Sequence, residues 1–224
     1  MTDSGDRGPL LIACALGIER LALRRLGVSP YGADAADGTG GPVTVLRTGM
    51  GPRAAERAVE RALRDEREPG GTAVVATGFC AGLMPGLHPG DLVVADETRD
   101  AAGRTQCTGT QLLADALRPY GTVHVGPLAG SAHIVRGPAR AALHAATAAV
   151  AADMESAATL RTAARTGPAG RQRPVAAVRV VVDAPGHELI RPGTLRGGIS
   201  AFRVLRGVMP AFLEWHRSLL LPWR

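Results

Sequence analysis

Apolar and polar positions along this chain switch repeatedly between strand-like runs and helical spacing. Residues 9–16, PLLIACAL, form a short apolar run ending at Gly17, and IERLALRRL then places Ile18, Leu21 and Leu26 at helical intervals among charged positions. This predicts a strand, a turn and a helix. Residues 27–42 are dense in Gly, Asp and Pro and read as a loop with room for a short irregular strand. VTVLRTGMG gives a second strand closing on glycines, and residues 52–67 a second helix. TAVVATG at 72–78 is a third strand, ended by the glycines and prolines of FCAGLMPGLHPG, after which DLVVADE returns to strand composition. Residues 98–110 read as a loop, QLLADALRPY as a helix, TVHVGPLAG as a strand, and 138–164 as a long Ala-rich helical region interrupted at AADMESAA. VAAVRVVVDAPG at 175–186 is the most continuous buried strand, and 199–220 a final helix.

Strands alternating with helices predict an α/β fold, a three-layer αβα sandwich around a central mixed β-sheet covered on both faces. At 224 residues the chain fits one domain spanning 1–224, with residues 1–8 as a flexible tail. Hydrophobic residues make up 46%, enough for a real core. All 26 basic side chains are Arg, which reads as a high-GC coding bias and weakens the inference from the net charge of +6 to nucleic-acid binding. The arginines are scattered, and with 3% aromatic residues base-stacking platforms are scarce, so no nucleic-acid partner is expected. Cys14, Cys80 and Cys107 form no CxxC pair, and the polar N-terminus is no signal peptide, which together point to the cytoplasm.

In open α/β sheets ligands gather beyond the carboxyl ends of strands. That rule selects Glu19, residues 48–51, 77–82 and 131–134, Glu155 and Asp183. Asp183 ends the VRVVV run, where a partly desolvated carboxyl suits a general acid; a turn or N-cap aspartate ahead of Pro185 and Gly186 is the alternative, and position alone does not separate them. Asp153 and Glu155 flank the apolar Met154, so one is expected to point into a cleft while the other is solvated or caps a helix. The GMG and GFCAG loops let backbone N–H groups approach an anion or a sugar. The six histidines show no metal-like pairing, so neither metal nor cofactor is expected, and the absence of GxSxG argues against a serine hydrolase.

In this order, ACALGIE, TGMG, ATGFCAGL with HPGDLVVADE, AGSAHI, AADMESAA and VRVVVDAPG resemble the nucleoside phosphorylase/nucleosidase superfamily over roughly residues 9–215. The resemblance implies a phosphorylase/hydrolase-like fold and cleavage of a purine N-glycosidic bond. It implies Asp183 as the acid that protonates N7 of the base and Glu19 as the water-activating base. Glu155 matches the glutamate that grips the ribose hydroxyls, with Met154 beside the sugar. His133 and Ile134 fall where the family packs an aromatic ring and an aliphatic side chain against the base, although Phe is usual at the first. Phe79, Cys80, Ala81, Gly82, Gly49 and Gly51 are the loop residues expected to contact substrate.

Two departures bear on the nucleophile. Phosphorylases of this type place an arginine before the third-strand glycine loop, where this chain has Ala76, and a small hydroxyl residue where it has Phe79. The missing arginine and the presence of Glu19 both favour water over phosphate, while Arg47 beside TGMG leaves phosphorolysis open. The motif combination is most similar to the hopanoid-associated branch, which releases adenine from adenosylhopane, and Phe79, Leu83, Met84 and Leu87 are candidates for an apolar channel beside the 5′ position, with core packing as the plain alternative. Methylthioadenosine or a futalosine-type nucleoside is the competing substrate, and a non-catalytic nucleoside-binding protein the competing function. The resemblance further implies a homo-oligomer, a dimer in preference to a hexamer. Phe202, Leu205, Val208, Met209, Phe212, Trp215 and Leu219 share one face of the final helix and should dock onto the core; peripheral contact with a membrane through Trp215 and LLLPW is the alternative.

Overall fold

The apolar runs become strands of a single mixed sheet because each supplies side chains to both of its faces. In the computed structural model, which describes residues 8–24, 43–64, 66, 70–166, 172–185 and 194–219, β1 (Leu10–Cys14) buries all five of its side chains. It lies between β2 (Val43–Arg47) and β3 (Ala73–Gly82), parallel to both. The sheet order is β2-β1-β3-β7-β6-β4-β5, with β4 (Leu92–Asp100), β5 (Gly103–Gln106), β6 (Val123–Gly130) and β7 (Ala151–Asp153). β8 (Val175–Asp183) pairs parallel with β3 and antiparallel with β4. The strands β3, β8, β4, β6 and β7 therefore close a circuit, so the sheet curls on itself at one end rather than lying open.

Strand alternation assigns the layers. Leu10, Ile12, Ala73, Val75, Val178 and Val180 pack beneath α1 (Gly17–Leu23), α3 (Thr110–Leu117), α6 (Thr194–Gly207) and α7 (Met209–Ser218). Leu11, Val74, Ala76, Ala177 and Val181 pack on the other face against α2 (Pro52–Arg64) and α5 (Ser156–Arg165). The expected αβα layering is present.

Four elements differ from the pattern. β3 runs on through Gly78 to Gly82 instead of ending at the first glycine, because its hydrogen bonds to β8 continue across those residues. Residues 98–110, expected as a loop, hold the end of β4 and an antiparallel return strand, β5. The Ala-rich region 138–164 is α4 (Pro138–Thr147), then the short strand β7, then α5; alanine carries little strand or helix signal of its own, and pairing with β3 and β6 decides for strand at residues 151–153. The final helix is two helices, α6 and α7, which meet at Val208 just before Pro210, a residue suited to a helix's first turn and not to its interior. The loop expected at 27–42 lies outside the described residues.

α7 uses its apolar face within the protein. Trp215 is fully buried and its indole N–H donates to Thr108 O at 2.9 Å, while Phe212, Met209 and Leu205 are buried in the same cluster. Among the described residues no helix is long and apolar enough to cross a membrane.

Candidate active site

The carboxyl ends of β1, β3, β6, β7 and β8 open on one cavity of about 190 Å³. Its wall holds Ala15, Leu16 and Glu19 from the β1–α1 turn, Met50, residues 79–81 of β3, and Ser131, His133, Ile134 and Val135 after β6. Ala152, Asp153, Met154, Glu155, Val182 and Asp183 complete it.

Glu19 stands in the first turn of α1 and is 2% exposed. Its Oε2 accepts the N–H groups of Ala15 and Leu16 at 2.9 and 2.8 Å, and its Oε1 accepts that of Phe79 at 2.7 Å. Three backbone donors thus converge on one carboxylate and leave part of its acceptor capacity facing the cavity. This contact turns the helix away from its apolar pattern: Ile18 and Leu21, expected on the buried face, are 52% and 59% exposed, and Glu19, Ala22 and Leu23 are buried instead. Turning Ile18 and Leu21 inward would take the acceptor from these three N–H groups, a cost that offsets what burying two aliphatic side chains would gain.

Gly78 makes this close approach possible. Its φ of +135° lies in glycine's territory, and a Cβ there would sit 2.4 Å from Glu19 Oε1 and 2.7 Å from Arg179 Nη1. Arg179, in the middle of β8, is 1% exposed; its Nη2 lies 2.5 Å from Asp153 Oδ2 and its Nε donates to Ser156 Oγ at 2.9 Å, while Nη1 has no hydrogen-bond partner among the described residues. Burial works against the guanidinium charge, but Asp153, Glu155 and Glu19 outweigh it and hold Arg179 protonated above its ordinary range.

Asp153 and Glu155 divide their work. Asp153 Oδ2 accepts the N–H of Ser156 at 2.9 Å, capping α5, and pairs with Arg179, so it is a buried cap and not a solvated one. Glu155 faces the cavity and accepts the N–H of Gly51 at 2.8 Å. Burial pushes the Glu155 carboxyl above the usual range; Asp153 and Glu19 add to the rise, against the opposing pull of Arg179 and the Gly51 N–H.

Asp183 reaches the cavity through an irregularity in β8. Cys80 is level with Val181 but Ala81 with Asp183, so Val182 is an extra residue, and both Val182 and Asp183 line the wall. Asp183 is 3% exposed, its Oδ2 lies 2.6 Å from Arg140 Nη2, and its buried Oδ1 has no hydrogen-bond partner among the described residues. Four carboxylates, Glu19, Asp153, Glu155 and Asp183, therefore surround a cavity whose remaining wall is largely apolar.

A family model described as the phosphorylase superfamily matches residues 35–196. The chain belongs to this superfamily. Solved structures share its fold: the 5′-methylthioadenosine/S-adenosylhomocysteine nucleosidase of Neisseria meningitidis in complex with methylthio-immucillin-A aligns with a TM-score of 0.70 at 17% identity, covering 95% of this chain and 100% of that one. The enzyme of the same description from Helicobacter pylori, with butyl-thio-DADMe-Immucillin-A, gives 0.71 at 16% identity, covering 95% and 99%. That from Colwellia psychrerythraea, in complex with adenine, gives 0.69 at 16%, covering 94% and 96%. No curated protein sequence matches the chain.

Within this member of the superfamily the cavity gathers Glu19, Phe79, Cys80, Ala81, His133, Ile134, Met154, Glu155 and Asp183, nine of the residues expected from the sequence. Gly82, Gly49, Gly51 and Arg47 do not line it. Gly82 lies against Leu87 and Ala184, and Gly51 acts one step back by holding Glu155. Arg47 is exposed at the end of the edge strand β2, beside Gly17. Leu83 and Leu87 are 2% exposed and belong to the core, and Met84 packs against that core, so none of the three forms a channel. Among the described residues no cluster of His, Cys, Asp or Glu could hold a metal ion.

The sequence reading missed Arg179, Arg140, Ser156, Leu16 and Val182. A lone arginine within VAAVRVVVD carried a signal: a charge in a strand buried on both faces must have a buried counter-charge. Arg140 in an Ala-rich helix carried none.

Proposed function

We propose that the protein is a purine nucleosidase that hydrolyses the N-glycosidic bond of a 5′-modified adenosine and releases adenine. The observation that carries this reading is the convergence of Asp183, Glu155 and Glu19 on one cavity from three different strand ends. A nucleoside bound there places its base between Asp183 and the segment bearing His133 and Ile134, and its ribose between Met154 and Glu155. Asp183 gives a proton to N7 as the C1′–N9 bond breaks, so the base departs neutral. Glu155 meets the ribose hydroxyls as positive charge develops on the sugar ring. Glu19, held by three N–H groups near Arg179, takes the proton from a water that adds to C1′.

Water is preferred over phosphate on electrostatic grounds. No arginine is among the described residues lining the cavity, whereas four carboxylates are, and a phosphate dianion would meet their repulsion. For the 5′ group, the apolar wall formed by Leu16, Met50, Phe79 and Val182 supports an apolar substituent. Together with the motif combination this favours adenosylhopane over methylthioadenosine. Exposed apolar side chains on α1 (Ile18, Leu21) and at the cavity wall (Met50, Ile134) support assembly as a homodimer.

The test is incubation with adenosylhopane and with methylthioadenosine, each with and without phosphate, following free adenine. Hydrolysis without phosphate is expected, fastest for adenosylhopane. Strict phosphate dependence would overturn the hydrolytic assignment, and turnover of methylthioadenosine alone would overturn the substrate.

A further inference from the structure

The carboxylate assigned as the acid is not alone. Arg140, in the first turn of α4 and 2% exposed, spans two elements with its guanidinium: Nη1 donates to Gly82 O at 2.9 Å, at the end of β3, and Nη2 lies 2.6 Å from Asp183 Oδ2, at the end of β8. Among the described residues the ion pair with Arg140 is the contact made by Asp183 Oδ2, and Oδ1 is buried without a hydrogen-bond partner. Arg140 also lies just downstream of the wall residues 131–135, so the segment facing the base and the carboxylate beneath it are joined through one side chain.

We propose that Arg140 is a positioning residue for base departure. It holds the Asp183 carboxyl at the cavity wall through Oδ2, and it places a positive charge beside the carboxylate that remains once the proton has gone. In the step itself the proton leaves the Asp183 carboxyl for N7, the C1′–N9 bond breaks with its electron pair taken up by the purine, and the new Asp183 carboxylate is met by the guanidinium. A buried carboxylate formed there without a counter-charge would be strongly disfavoured. Lysine would replace it only in part, keeping the charge beside Asp183 but lacking the planar fork that serves Gly82 O and Asp183 together.

This inference rests on the proposed role of Asp183, and its test separates the two. Arg140→Gln, Arg140→Lys and Asp183→Asn are compared on methylthioadenosine, or on adenosylhopane where that is the better substrate, and on the N7-methylated form of the same nucleoside. The methylated form already carries the positive charge that protonation would create, so its base leaves without help from an acid. Arg140→Gln is expected to lower kcat on the unmethylated nucleoside about 10- to 100-fold, with the loss on the N7-methylated one at least about tenfold smaller. Arg140→Lys should show the same discrimination at smaller size, and it serves alone if the glutamine variant does not fold. Asp183→Asn should bind the unmethylated nucleoside yet turn it over about 10²- to 10⁴-fold more slowly, again sparing the methylated one. Equal losses on both nucleosides for both Arg140 variants, with discrimination kept by Asp183→Asn, would overturn the role of Arg140 and leave the acid standing. Equal losses for Asp183→Asn as well would overturn the acid assignment and this inference with it.

Discussion

Glu155 and Gly51 are joined by a 2.8 Å hydrogen bond across 104 positions of sequence, from the backbone N–H of the glycine to the carboxylate Oε1. The bond leaves Oε2 for a ligand and sets the loop after β2 against the loop after β7. It does not compensate the burial of Glu155, whose carboxyl stays above its usual range.

Glu155→Gln separates binding from stability. The amide keeps an oxygen for the Gly51 N–H but loses the charge proposed to meet the sugar hydroxyls, so kcat/KM should fall about 10- to 100-fold. A carboxyl whose folded value is raised takes up a proton on folding. Its ionisation therefore destabilises the fold as pH climbs from the unfolded carboxyl range through the raised folded value, and the penalty is fully present above that value. The unliganded variant should melt higher than the parent at neutral pH, and the gap should close as pH falls toward the ordinary carboxyl range. Thermal melts at a series of pH values check this; a variant that melts lower at neutral pH would contradict it.

Gly78→Ala should damage the site more than the fold around it. The added methyl would displace Glu19 Oε1 or Arg179 Nη1, and φ is unfavourable for alanine. A displacement of about 1 Å costs on the order of 10²-fold in rate. Steady-state kinetics should show the loss chiefly in kcat, and an unaltered kcat would mean that Glu19 is not held as described.

Arg179→Met strips the counter-charge from buried Asp153 and should cost about 3–5 kcal/mol in urea unfolding. The double variant with Asp153→Leu should recover part of that loss, because no uncompensated charge remains. A double variant no more stable than the single one would show that packing, not charge, ties α5 to β8.

Trp215 tests the docking of α7. Trp215→Phe removes the hydrogen bond to Thr108 O and should cost about 1 kcal/mol, whereas Trp215→Ala also opens a cavity and should cost about 3–5 kcal/mol. Denaturant melts of both variants give the comparison. Near-wild-type stability for Trp215→Ala would imply that the helix face serves something other than the core.

The layered fold was legible because apolar runs long enough for buried strands alternated with helical spacing. The helix α1 was legible as a helix but not in its rotation. Ile18 and Leu21 fitted the apolar pattern, and the three N–H groups that draw Glu19 inward come partly from β3, some 60 residues away. Residues 151–153 were hidden for a related reason, since an Ala-Ala-Asp segment becomes a strand only when partners on both sides offer it hydrogen bonds.

The sequence by itself determined the long strands β1, β2, β3, β4, β6 and β8, though neither β5 nor β7, singled out Glu19, Glu155 and Asp183, and carried the order of motifs of a phosphorylase-superfamily chain. Side-chain periodicity and strand-end position are local properties, readable one segment at a time. Only the tertiary structure decided that Arg140 stands on Asp183, that Arg179 lies between Asp153 and Glu19, and that Gly51 rather than a side chain holds Glu155. Each of those contacts joins residues far apart in the chain, and the electrostatic energy of a buried charge depends on distances that no local pattern records.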